Sequence, residues 1–265
     1  MPENPIIFFM SRFLKSLGPG LLYAGAAVGV SHLVQSTRAG AEYGFYLAGI
    51  LILANVIKYP FFEFGPRYAA ATGNSLIQGY RNIGRWAVIL FAVLTISTMF
   101  AIQAAVTIVT AGIAANVFNL HASNVTISSV ILIITMIVLL IGRYAILDKL
   151  IKFIIITLAI STIVALVAAF GKGFNPNPEF TNHFNWHSGI DIMFLIAFIG
   201  WMPAPVDVSV WHSLWSVAKK KELGYTQKIR EVLLDFKIGY IGTAFLALGF
   251  LTDRKSTRLN SSHYS

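Results

Sequence analysis

The sequence predicts an all-α, multi-pass membrane protein with about seven transmembrane helices and a cytoplasmic N-terminus. Three observations carry that expectation. Of the 265 residues, 56% are hydrophobic and 12% charged, and mean hydropathy is +0.71, a balance that does not suit a water-facing surface. Apolar runs close to the ~20 residues needed to cross a bilayer recur along the chain. Lys and Arg gather in alternate connections between those runs, which sets the orientation.

Residues 1–16 include Arg12 and Lys15 and lack the small-residue cleavage site of a signal peptide, so they read as a cytoplasmic segment. The expected spans are Leu17 to Gln35, Tyr46 to Phe64, Trp86 to Phe118, Val125 to Gly142, Leu150 to Phe170, Ile190 to Trp215 and Phe236 to Leu251. Arg67, Arg81 and Arg85 separate the second span from the third, Arg143 and Lys149 the fourth from the fifth, and Lys219, Lys220, Lys221, Lys228 and Arg230 the sixth from the seventh. Every strongly basic connection therefore falls on the side of the N-terminus. The opposite connections hold Arg38, offset by Glu42, and Lys172 in the extracytoplasmic loop 171–189. A location in the cell (inner) membrane is expected. The third run is too long for an upright span and must tilt or project. Lys58 and Glu63 flank Pro60 near the inner end of the second span, where they are expected to snorkel to the interface.

The last residues, 253–265 (DRKSTRLNSSHYS), switch abruptly from apolar to polar and resemble the translation of a sequencing-library adapter. They are set aside as an artefact, and the natural chain is expected to run on. The sequence contains no Cys, which excludes a disulfide framework and thiol chemistry. Its net charge of +9 is spread between apolar runs and forms no nucleic-acid module, so no nucleic-acid partner is expected; the partner is the lipid bilayer. No Walker loop, nucleophile elbow or metalloprotease His motif is present, and neither an enzyme nor a cofactor is expected.

Two apolar segments are interrupted. Gly18 to Phe45 is broken near its middle by small and polar residues, and Ile199 to Leu214 carries Pro203, Pro205, Asp207 and His212. Unwound backbone is tolerated in hydrocarbon only where it is buried in protein or lines a cavity, so paired broken helices point to the binding site of a transporter. The carbonyls that Pro203 and Pro205 leave free are candidate ligands for a cation or for substrate amines.

The residues around these breaks carry a resemblance: Gly18-Pro19, the stretch Arg38-Ala39-Gly40-Ala41-Glu42-Tyr43-Gly44-Phe45, Ala54-Asn55 and Ala71-Thr72-Gly73. In them the chain resembles the NRAMP family of divalent metal transporters over nearly all of Leu17 to Leu251. The resemblance implies two inverted repeats of five helices, with the first and sixth helices unwound around a proton-coupled metal site. Residues 17–170 would then be the first repeat and 190–252 the start of the second. It also implies departures. The family's Asp-Pro-Gly-Asn motif falls on Gly29, Val30, Ser31 and His32, and its Met-Pro-His-Asn motif on Ala204, Pro205, Val206 and Asp207, so the usual carboxylate and thioether are missing. The family's acidic pair falls on Gln103 and Val106, and its later His on Trp211, with His212 one place on.

Loss of the thioether weakens preference for soft transition metals, and loss of the carboxylate removes the main neutralising charge for a divalent ion. A rewired site would use His32 and Asp207 as metal ligands and Gly29, Ser31, Ala204 and Pro205 to line the substrate site. Gln103 and His212 are candidates for a proton route. Each also has a structural reading: His32 as a packing residue, Asp207 as a helix cap, His212 as an interhelical hydrogen-bonding residue, and Gln103 with Thr107 and Thr110 as helix-packing polar groups. His121, His183 and His187 match no metal motif and read as loop residues. The leading function is secondary transport, as a symporter, of a divalent cation. Transport of a small organic or monovalent solute is the alternative, and a non-transporting membrane sensor or scaffold a third.

Overall fold

The computed structural model describes residues 17–29, 31–141, 144–171 and 184–252. The lead-in 1–16, Val30, most of the loop 171–189 (His183 included) and the tail 253–265 lie outside them. The described residues form helices and connections with no strand. In order these are α1 (Pro19–Ala27), a π-helical segment (Ser31–Ser36), α2 (Thr37–Tyr43), α3 (Ala48–Thr72), α4 (Leu76–Ile83), α5 (Arg85–Phe118), α6 (Asn124–Ile141), α7 (Tyr144–Gly171), α8 (Gly189–Trp201), α9 (Val208–Leu223) and α10 (Ile229–Thr252). Among the described residues four helices are long and apolar enough to cross a membrane: Ala48–Thr72, Arg85–Phe118, Asn124–Ile141 and Ile229–Leu251. Two shorter apolar helices cover Leu150–Val164 and Gly189–Trp201.

The chain divides into two compact units, residues 1–76 with 150–265, and residues 77–149. In the second, α5 has 34 residues, about 51 Å at ~1.5 Å per residue, against a hydrocarbon thickness of ~30 Å. A helix of that length tilts or projects. Only Thr107 and Ala111 of α5 and Ile127 of α6 are buried, and the large apolar side chains along both helices are exposed. Such a surface is the kind that lipid solvates and water does not.

The first unit holds both interruptions. Pro19 sits in the first turn of α1, where its missing N–H costs nothing. Gly18 has no side chain to cap that turn, and Asp235 of α10 does so instead: its carboxylate accepts from Gly18 N (3.2 Å) and Gly20 N (2.7 Å). The helices meet closely enough that a Cβ on Gly20 would strike the carbonyl of Asp235, and one on Gly239 the carbonyl of Gly20. Here glycine is required by approach of backbone to backbone. Helix α3 ends at Gly73 and α9 at Gly224, both left-handed C-caps, and Lys220 and Lys221 in the last turn of α9 complement its dipole.

One buried cluster joins Ala39, Tyr43, Leu47 and Leu51 to Phe194, Leu195, Phe198 and Met202, and reaches Ala247 and Leu251. A second gathers Tyr23, Ala27, Phe62, Ala204, Val208, Phe236 and Tyr240. The short stretch before α8 folds onto the end of α2: Tyr43 Oη donates to Asp191 (3.0 Å), and Phe184 packs between Tyr43 and Trp186.

Candidate functional site at the paired helix breaks

The first break follows Ala27. The chain turns through Val28 and Gly29, and the carbonyl of Gly29 accepts from both His32 N (3.2 Å) and Leu33 N (3.0 Å). It then resumes as the π-helical Ser31–Ser36, a geometry that is rare and marks functional sites. The Gly29 carbonyl thus serves to restart the helix.

Ser31 and His32 are buried in a short polar chain. Ser31 Oγ donates to Ala27 O and lies 2.8 Å from His32 Nδ1, and His32 Nε2 lies 3.0 Å from Thr243 O on α10. A carbonyl only accepts, so Nε2 carries the proton and donates. Ser31 has one proton and two neighbouring acceptors, Ala27 O and Nδ1. Nε2 of His32 is therefore engaged, Nδ1 is bonded only when the Ser31 proton turns toward it, and the residue is 0% exposed.

The second break runs from Met202 to Asp207. Its cause is local: the residues four places after Ile199 and Trp201 are Pro203 and Pro205, which have no N–H to give. Ile199 O is taken by Lys58 instead. Its ammonium donates to Ile199 O (2.5 Å) and Met202 O (2.8 Å) and reaches Gly200 O (3.3 Å). The half-buried side chain expected to snorkel ends on these three carbonyls, which solvate an ammonium that hydrocarbon would not.

The two breaks meet. Ser36 Oγ donates to Met202 Sδ (4.0 Å), and Ala27, at the end of α1, shares a buried cluster with Ala204. Ala204 is buried and brings no polar side chain. Pro205 is partly exposed, and its carbonyl accepts from Val208 N (3.1 Å). Asp207 precedes α9 without making a side-chain cap bond, is half-buried, and forms no ion pair among the described residues.

His212 was expected to bond across helices. Instead it packs among the rings of Tyr23, Trp215 and Phe236 (centroids 5.8, 6.3 and 5.5 Å away), and neither ring nitrogen has a partner among the described residues. Tyr23 Oη is likewise buried without a partner. An unpartnered buried polar group costs ~1–3 kcal/mol, and an apolar replacement of similar shape removes that cost. His212→Phe is therefore expected to leave the melting temperature unchanged or raise it; a marked fall would show that the imidazole has a polar partner. Gln103 belongs to the other compact unit, where its amide donates to Thr107 Oγ1 (3.1 Å) one turn along α5, while Thr110 bonds back to Val106 O.

The structure thus brings Ser31, His32, Ala204 and Pro205 to the breaks with Asp207 at their edge, and adds Lys58, Met202 and Thr243, none of which was expected at the site. Met202-Pro203 was visible as a soft donor beside a helix breaker. Lys58 was visible as a charge in an apolar run, but its carbonyl partners were not. Thr243 contributes a backbone carbonyl and leaves no sequence signal. Among the described residues no three His, Asp or Glu side chains gather as a metal cluster.

Apolar helices with two facing interruptions, their loose backbone groups taken up within the fold, define a multi-pass membrane protein of broken-helix architecture. A family model described as "Natural resistance-associated macrophage protein-like" matches residues 20–250, and the chain belongs to this Nramp family. It is also similar to an uncharacterized protein of Pasteurella multocida (strain Pm70), 39% identical over 247 residues that cover 91% of this chain and 55% of the relative. The chain spans about half the length of that relative. No solved structure matches the chain.

Proposed function

We propose that the protein is a secondary transporter of the inner membrane that carries a divalent cation through the site between its two broken helices. The fold would be the first repeat, 17–170, of a five-plus-five inverted-repeat bundle together with the first two helices of the second, seven spans in all, with the N-terminus in the cytoplasm. The observation that carries the reading is the meeting of the breaks at Ser36–Met202 and Ala27–Ala204. Asp207 supports it: a carboxylate in a spanning segment costs roughly 2.5–3.5 kcal/mol, and one left without an ion pair calls for a cation.

The reading rests on Asp207 more than on His32, because His32 is fully buried with Nε2 donating to Thr243 O, whereas Asp207 is half-buried without an ion pair among the described residues. In proteoliposomes, Asp207→Ala is expected to abolish uptake of Mn2+ or Mg2+ (a loss of at least ~100-fold, a few kcal/mol of lost charge compensation) while Asp207→Glu retains part of it. Full uptake by the alanine variant would sink the assignment.

One observation favours a monovalent or organic cation instead: the carbonyls at the end of α8 already solvate an ammonium. Thermal-shift titration with Mn2+, Mg2+ and methylammonium separates the readings, since only a bound ligand stabilises the native state in proportion to occupancy.

A further inference from the structure

The end of α8 is built as a cation site. Helix C-terminal carbonyls carry partial negative charge and attract cations. Here Pro203 removes the donor that would have quenched Ile199 O, and the chain bends so that Met202 O joins Ile199 O and Gly200 O around one point. Three carbonyl oxygens at 2.5, 2.8 and 3.3 Å from a single nitrogen match the three donors of a primary ammonium. No carboxylate is among the partners of Lys58 in the described residues, so the group that holds this charge is the backbone of the break itself.

We infer that the Ile199, Gly200 and Met202 carbonyls form a binding site for one primary ammonium, and that the chain fills this site with its own Lys58. Lys58 is 141 residues from Ile199 in sequence, so the tethered cation clamps α3 to the end of α8 and holds the second break open as a non-helical segment. It also closes these carbonyls to cargo while the ammonium is in place. The inference goes beyond the proposed transport and holds whether or not the protein moves a metal ion.

Because the sequence contains no Cys, Lys58→Cys introduces a single thiol for chemical rescue. Alkylation with 2-bromoethylamine rebuilds an ammonium at the length of lysine, whereas iodoacetamide adds a neutral group of similar reach. The purified full chain in detergent is melted in each form. Lys58→Cys is expected to melt about 4 °C or more below the parent, with aminoethylation recovering most of the loss and carbamidomethylation little of it. Unmodified Lys58→Cys should gain stability from millimolar methylammonium and none from tetramethylammonium, which has no N–H, and the parent should respond to neither. Equal recovery by the two alkylating agents, or an equal methylammonium response in the parent, overturns the inference. If Lys58→Cys does not fold, the parent still decides it through lysine acetylation read by mass spectrometry. Lys58 should react at least tenfold more slowly than Lys221 and equally fast after denaturation; equal rates in the native protein overturn the clamp.

Discussion

Asp235→Ala is expected to lower the stability of the purified protein by roughly 3 kcal/mol, a fall in melting temperature of about 6–12 °C. The Asp235 carboxylate is buried and accepts from the N–H groups of Gly18 and Gly20, the first turn of α1. Neither glycine has a side chain to cap the turn, and both lie buried against α10 at the close approach of Gly20 and Gly239. Removing the acceptor leaves both donors orphaned at the positive end of a helix dipole, where charge-assisted bonds contribute ~1.5–3 kcal/mol each. Asp235→Asn keeps one acceptor oxygen and is expected to lose about half as much. Differential scanning fluorimetry of the three proteins checks this, and an alanine variant melting with the parent would show that α1 is capped by something else.

His32→Ala should cost a comparable ~2–4 kcal/mol, from the cavity left by a fully buried ring and from the lost hydrogen bond to Thr243 O. The effect would be structural, since the ring bridges the π-helical segment of the first break to α10. His32→Gln tests that reading: its amide can donate to Thr243 O and accept from Ser31, so it is expected to recover about half of the lost stability. If glutamine stabilises no better than alanine, the imidazole does something its hydrogen bonds do not describe.

Both residues show why part of the site was legible and part was not. The interruptions were legible because their causes are local: Pro203 and Pro205 withhold N–H groups from carbonyls four residues back, and the small and polar residues after Ala27 weaken a helix without reference to any neighbour. The closeness of α1 and α10 was not, because a glycine in an apolar run signals packing without naming its partner, and Gly20 and Gly239 are identified only by lying against each other. Asp235 sits one residue outside the expected seventh span, beginning at Phe236, and nothing in the sequence ties it to α1. Lys58 and His212 were read by the generic behaviour of their types, one snorkelling and one bonding across helices. The surroundings decided both, since free carbonyls took up the ammonium and a ring of aromatics left the imidazole dry.

By itself the sequence determined that this is an all-helical membrane protein, where two of its helices must break, and which residues carry its likeness to the Nramp family. Those properties follow from hydropathy, from the missing donors of proline and from short stretches of chain, all set within a turn or two of helix. Only the tertiary structure decided what occupies the breaks: Lys58 on the carbonyls of α8, Asp235 on the first turn of α1, and His32 tied to Thr243. The partners in these contacts are 141 to 217 residues apart, and a buried polar group takes whichever donor or acceptor the packing brings within reach.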